Sequence, residues 1–308
     1  MVTFYKTVNG RLERIDSLQE DCWINVINPD EDEIEMLLSS LRIEPQFLKA
    51  ALDEEETSHI DAEEDQTLII VDLPLAQKKN NTVVYSTIPM GIILLDRHIL
   101  TVCIKENSIL NDFADGVVKN VQTAMKTRFV LTILYRVANR FLQYLRQIDK
   151  LSNYIEKQLH ASMKNKELIQ LLDLEKSLVF FSTSLKANEV TLEKMLRGRI
   201  IKLYEDDQDL LEDVLIEIKQ AIEMSNIYTS ILSGTMDAFA SVISNNLNIV
   251  MKVLTSITIL MAIPNMIASF YGMNVLNLPF ANLWWFPVAL SAVVTAAVAF
   301  ILYKKRMF

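Results

Sequence analysis

Apolar residues dominate two segments near the C-terminal end of the chain: no charge occurs from Val253 to Phe270 or from Leu283 to Tyr303. The hydrocarbon core of a bilayer takes about 20 apolar residues as helix, so each segment predicts a membrane span. The first reaches that length when it extends back past Lys252 or bends at Pro264. The stretch Val275 to Asn282 between them is long enough only for a turn, which makes the pair a helical hairpin with both long ends of the chain on one side. Lys304, Lys305 and Arg306 follow the second span directly, and basic flanks stay in the cytoplasm. The pattern therefore predicts a multi-pass protein of the cell (inner) membrane with both termini cytoplasmic. No apolar leader follows Met1-Val2-Thr3-Phe4-Tyr5-Lys6, in keeping with an N-terminus that stays inside.

The remaining chain changes character once. Short runs rich in Val, Ile and Thr predict strands at Val2 to Val8, Cys22 to Ile27, Leu68 to Leu73, Val83 to Ile88, Gly91 to Leu95 and Ile99 to Ile104. Asn28-Pro29-Asp30 opens a helix with an acidic first turn that runs to Leu41, and Pro45 opens another. From Lys126 onward the pattern is helical: Arg128 to Leu159, Lys166 to Leu196 with Gly198 as its stop, and a stretch from Asp206 to Tyr271. At ~1.5 Å per residue the last is a rod of about 100 Å, too long to be stable without packing against copies of itself. The organisation read from these changes is an α+β (α/β) cytosolic domain (1–125), paired long helices (126–205), a stalk helix continuing into the first span (206–271), an outer loop (272–282), the second span (283–303) and a basic tail (304–308).

Composition narrows the chemistry. The mean hydropathy of +0.21 fits one large soluble region carrying a small membrane part. Six glycines in 308 residues leave no phosphate-cradling loop, and no nucleophile–base pair or cofactor fingerprint is present, so an enzyme is not expected and no cofactor is implied. A net charge of -9 disfavours nucleic acid and suits a domain that meets cations. Cys22 and Cys103, with His59, His98 and His160, are scattered without the spacing of a zinc site and read as ordinary core or surface positions.

The first span is not uniformly apolar. Small or polar residues recur at Asn248, Met251, Thr255, Thr258, Ala262, Asn265, Ser269 and Gly272, spaced alternately three and four apart, which keeps them on one narrow helix face. Amides and hydroxyls in lipid need partners or water, so this face looks inward. The second span offers only Ser291 and Thr295 and reads as the outer helix. Small and polar residues also glue membrane helices together, but Asn248 and Asn265, with Asn274 beyond, favour a water-filled path. One hairpin cannot enclose such a path, so several copies must surround it.

Tyr271-Gly272-Met273-Asn274, placed just after the first of two C-terminal spans, resembles the signature of the CorA superfamily of divalent-cation channels. Asn248 with Val250-Met251-Lys252-Val253-Leu254-Thr255 is similar to that family's segment where the stalk enters the membrane. Asp237, Ser241, Ser244, the closing Lys304-Lys305-Arg306 and the Trp23-Ile24-Asn25-Val26 to Pro29 strand fit it too. The resemblance covers the whole chain. It implies a funnel-like homopentamer embedded in membrane lipid that moves magnesium inward, driven by the membrane potential without ATP, with Mg2+ as both transported and regulatory ion.

By the same resemblance Gly272, Met273 and Asn274 form the selectivity filter. Leu254 takes a gate position among the pore-lining residues, Asp213 and Asp237 are regulatory metal ligands, and Lys304, Lys305 and Arg306 form a basic ring. The acidic runs Asp53 to Glu56 and Glu63 to Asp65 are candidates to face Asp213 across a subunit boundary. The loop Val275 to Asn282 carries no charge, whereas better-known members place acidic residues there. A zinc, cobalt or nickel transporter of the same architecture, with or without proton coupling, is the alternative reading.

Overall fold

The computed structural model describes residues 1–63, 65–79, 82–162, 165–198, 200–201, 203–273, 279–280 and 283–305. The chain divides into two units, Met1–Gly234 and Thr235–Phe308. The first is built on a seven-stranded sheet of β1 (Val2–Val8), β2 (Arg11–Ile15), β3 (Cys22–Ile27), β4 (His59–Glu63), β5 (Gln66–Lys79), β6 (Thr82–Leu94) and β7 (His98–Cys103). Their order is β2-β1-β3-β7-β6-β5-β4. Among the described strands only β3 and β7 pair in parallel, because the chain leaves β3 for α1 (Glu31–Leu41), α2 (Pro45–Ala51) and the β4–β6 meander before returning beside it.

Strand side chains alternate between two cores. Cys22, Ile24, Val26, Leu100 and Val102 meet Leu37, Phe47, Leu48 and Ala51 of α1 and α2. A β-carbon on Gly91 would sit 2.3 Å from that of Ala51, so the bare glycine lets α2 lie close on β6. Trp23 points to the opposite face, where its ring packs on Phe113 of α3 (Ser108–Ala114) and Phe129 of α4 (Lys126–Ser162). Its indole donates to Thr101 Oγ1 (2.9 Å), and Thr101 donates in turn to Asn25 (3.1 Å), so each buried polar atom in this pair of strands has a partner. Helix α1 starts where the sequence predicts, with Asp30 and Glu33 forming a reciprocal capping box.

Several elements differ from the sequence reading. The runs Val83 to Ile88 and Gly91 to Leu95 are one strand, β6, which continues through Pro89. Pro89 lies just past the end of the β6–β7 ladder, where no backbone donor is needed. The edge strands β2 and β4 and the short α3 were not anticipated, since Arg11, Glu13, Arg14, Asp61 and Glu63 break the apolar alternation, as charges on edge strands do. In the membrane part, helix α7 (Phe286–Lys304) begins three residues later than Leu283, with Trp285 as its cap and Pro287 in its first turn.

The long α5 (Asn165–Gly198) fastens to the sheet at Ser177, which accepts from the Tyr85 N–H (3.2 Å), at Ser184, hydrogen-bonded to Thr87 (2.8 Å), and through the amide of Asn188. Strand β4 pairs with β5 only as far as Ile70, and at Asp72, the next outward-facing backbone position, Asn188 takes the place of a strand. Its Oδ1 accepts from the Asp72 N–H and from the Ser58 hydroxyl (2.8 Å each), and its Nδ2 donates to the Asp72 carbonyl (2.9 Å). The Asp72 carboxyl beside it is raised above the usual carboxylate range by burial, which a hydrogen bond from Ser184 partly offsets. Helix α6 (Glu205–Tyr271) opens with Glu205, Asp206 and Asp207, acids that suit a helix N-terminus. Within the first unit it buries Leu211, Val214, Ile218 and Ala221, and Ser225 donates to the Leu178 carbonyl of α5 (3.1 Å).

The second unit holds the remainder of α6 and helix α7, the two described helices long and apolar enough to cross a membrane. From Val253 onward the partly or fully covered positions of α6 are Val253, Ser256, Leu260, Ile263, Ile267 and Tyr271, again spaced three and four apart, and they form the seam against α7. At the turn Tyr271 rests on Phe286 (ring centroids 6.2 Å) and donates its hydroxyl to the Pro279 carbonyl (3.2 Å).

Two expectations follow from these contacts. The Asp72 carboxyl, raised in the fold, favours the folded state fully only below its unfolded value of 3.8, and that contribution is lost as pH rises through the folded value. Asp72→Asn should therefore raise the melting temperature of the full chain in detergent at pH 7, and the gain should shrink as the pH is lowered towards that value. A gain that does not vary with pH would contradict a buried, ionised carboxyl. Tyr271→Phe keeps the ring contact and removes one hydrogen bond, at a cost of about 1 kcal/mol, whereas Tyr271→Ala should cost clearly more. Denaturation midpoints of the two variants check the order.

Candidate functional site

The polar stripe of α6 lies on a different face from its seam with α7. Asn248, Met251, Thr255, Thr258, Ala262, Asn265, Ser269 and Gly272 are all exposed in the single chain. Leu254, set between Met251 and Thr258, is exposed too, at 57 %. Thr255 donates to the Met251 carbonyl (2.7 Å) and Thr258 to the Leu254 carbonyl (2.8 Å). Their only hydroxyl protons are thus committed to the helix, and what each presents outward is an oxygen acceptor. Asn248 and Asn265 add amide oxygens to the same face. Such a line of neutral oxygens can receive hydrogen bonds from the water shell of a hydrated cation.

At the end of the stripe Gly272 continues the helix, its N–H donating to the Ala268 carbonyl (2.9 Å). A β-carbon there would approach that same carbonyl to 3.3 Å, so a side chain would crowd the last turn. Met273 is exposed, and Asn274 lies outside the described residues, as do Val275 to Leu278, Ala281 and Asn282. Lys304 and Lys305 end α7 in exposed positions, and Arg306 also falls outside the described residues.

The acidic candidates are solvent-facing in the single chain. Asp213 and Asp237 are both exposed on α6, as are Asp53, Glu54 and Glu55, and Glu63 and Asp65 lie at the exposed β4–β5 turn. Among the described residues no three Cys, His, Asp or Glu side chains of one chain gather closely enough to hold a metal ion. The sequence scatter of cysteine and histidine conceals one pair, since the parallel β3–β7 register sets Cys22 opposite His98 with Sγ 3.6 Å from Nδ1. Burial pushes the thiol up and the imidazole down, which keeps both neutral in a structural contact. Cys103, fully enclosed, is pushed up to about 12 by burial and is inert.

Sequence reasoning missed the α6–α7 seam. Ser256, fully buried within it, and Leu302 opposite carry no motif, and only the three–four spacing of Val253, Ser256, Leu260, Ile263 and Ile267 could have disclosed them.

Comparison with known proteins bears on the whole architecture. Residues 19–305 match the model of the family described as CorA-like Mg2+ transporter protein. The cobalt/magnesium transport protein CorA of Methanocaldococcus jannaschii is 29% identical over 295 residues, 92% of this chain and 90% of that protein. The protein of the same description from Thermotoga maritima is 34% identical over 144 residues, 43% of this chain and 41% of that one. The complete structure of the CorA magnesium transporter from M. jannaschii superimposes with a TM-score of 0.81 over 99% of this chain and 96% of that one, at 23% identity. A soluble α+β unit, a long helix that runs on into a C-terminal helical hairpin and a family match over nearly the full length lead to one conclusion: the chain belongs to the family of CorA-like Mg2+ transporter proteins and is a membrane protein of ion transport.

Proposed function

We propose that the chain forms a homopentameric channel in the cell membrane, both termini cytoplasmic, through which magnesium enters down the membrane potential and which internal magnesium closes. The observation that carries this reading is the polar stripe of α6, left uncovered by α7 along its whole length. Facing lipid, its amides would lack partners; facing an axis shared by several copies, they meet water and ions. Exposed apolar residues of α6 in the first unit, Ile216, Ile227 and Ile231, support contact with further copies.

Magnesium holds its waters tightly and prefers octahedral oxygen, so a ring of Asn274 amides reads the hydrated ion, and the Thr258 and Asn265 oxygens pass it on. Rings of Met251 and Leu254 close the path by excluding water. A potential of 100 mV supplies about 4.6 kcal/mol to a divalent ion, enough without another energy source. Cobalt appears beside magnesium in the relatives' descriptions, so the test must compare metals. The stripe holds no titratable side chain, which favours flux without a proton. Lys304, Lys305 and Arg306 form a basic ring at the cytoplasmic face.

Purified protein in liposomes under an inside-negative potential should take up magnesium, with zinc and cobalt as comparisons and with and without a proton gradient. Asn274→Ala should assemble as the parent does yet lower magnesium uptake roughly tenfold or more, as removal of the selecting oxygens implies. Parent-like uptake in that variant would remove Asn274 from the filter.

Feedback is carried by exposed acids at a subunit boundary, where Asp213, with the runs Asp53 to Glu56 and Glu63 to Asp65 of a neighbouring copy, repels until a divalent ion intervenes; Asp237 acts in the same way further along α6. Asp213→Asn should raise the internal magnesium concentration needed for half-inhibition and weaken the protection that magnesium gives α6 against protease. If both stay as in the parent, the sensor lies elsewhere.

A further inference from the structure

Two polar groups in the membrane hairpin lack the partners that hydrocarbon demands. Pro264 sits inside α6 and has no N–H, so the Leu260 carbonyl has no donor one turn on. In α7 the Thr295 hydroxyl is buried and makes no hydrogen bond, unlike Thr255 and Thr258, which return theirs to the preceding turn. One group is an acceptor that has lost its helical donor, and the other a donor without an acceptor.

They also lie at the same depth. The hairpin is antiparallel and is pinned at one end by the contact of Tyr271 with Phe286. Equal steps inward from that contact bring Thr295 level with Ala262 and Leu302 level with Thr255, one residue from Ile263 and Ser256 respectively. Ser256 (0 %) and Leu302 (7 %) are the most deeply covered residues of the two spans, as this register requires. A helix carbonyl points towards its own C-terminus, so the Leu260 oxygen reaches towards the level of Ile263 and Pro264. Leu260 and Ile263 both belong to the α6 face that meets α7.

We infer that Thr295 is a positioning residue for the ion path: its hydroxyl donates to the Leu260 carbonyl in a second state of the hairpin, in which α6 bends at Pro264 towards α7. In the state described here the bond is open and both groups carry the cost of burial without a partner; in the other the bond is made at the expense of the bend. Ala262 and Asn265 flank the hinge on the polar stripe, so bending moves them relative to Thr258 below. The effect on flux rests on the transport reading above, while the hinge itself does not.

The test uses full-length protein. In liposomes, Thr295→Val, which keeps the shape and removes the donor, should change the initial rate of magnesium uptake at least threefold, and Thr295→Ser should restore the parent rate. In a Pro264→Ala background, where the carbonyl regains its helical donor, Thr295→Val should have no further effect. Spin labels at Ile257→Cys and Phe270→Cys, exposed positions outside the stripe on either side of the hinge, report the bend without reference to flux. Two distance populations in the parent and in Thr295→Ser, reduced to one in Thr295→Val, support the hinge. Identical distance distributions overturn it, as do uptake effects of Thr295→Val and Pro264→Ala that multiply independently. If the distances shift as expected but no variant, nor the parent, takes up magnesium, it is the transport reading that fails.

Discussion

In a hydrocarbon medium no polar group is free of obligation, and that single constraint governs the membrane half of this protein. An apolar helix of the same length could stand in lipid with nothing beside it, whereas α6 cannot, because one of its faces carries amides and hydroxyls from Asn248 to Ser269. Helix α7 meets the adjoining face, from Val253 to Tyr271, and leaves the polar one open. The hairpin therefore satisfies only part of what its own sequence requires. A surface that needs both water and neighbours is suited to a path enclosed by copies.

The soluble unit obeys a milder form of the rule. Several of its buried polar groups are met by a neighbour, Trp23 by Thr101, Thr101 by Asn25 and the Asp72 backbone by Asn188, while Glu167 Oε2 is buried without a hydrogen-bond partner. The first two links join strands and the third joins sheet to helix, all across long sequence separations. The parallel β3–β7 pair brings Trp23 and Thr101 together, and the packing of α5 on β5 brings Asn188 to Asp72.

Patterns that repeat along the chain were legible in the sequence, and pairings across it were not. The spacing of Asn248, Thr255, Thr258 and Asn265 marks a helix face without any knowledge of the fold, and the long helices follow from uninterrupted periodicity. Asp30 and Glu33 mark the start of α1 for the same local reason. Strands β2 and β4 escaped because edge strands carry charge, and Val83 to Ile88 and Gly91 to Leu95, read as two runs, are one strand that continues through Pro89 beyond the end of the β7 ladder. The seam that holds α7 was invisible because Val253, Leu260, Ile263 and Ile267 suit lipid and protein contact equally well. At the site itself Asn274 could be read only through its motif, while the commitment of the Thr255 and Thr258 protons to the helix needed coordinates.

The Asn188 amide has a consequence beyond fastening α5. Beyond Ile70 strand β5 offers bare backbone on the side where β4 has ended, an open template onto which a foreign strand could add. Asn188 fills the first vacant position of that template with a donor and an acceptor of its own, so the ladder is closed by a side chain that cannot propagate it. A nascent chain whose α5 has not yet docked would present this edge unguarded. Solubility during synthesis thus depends on a contact between residues far apart in sequence, and the order in which sheet and helix form becomes a matter of avoiding aggregation as well as of reaching the fold.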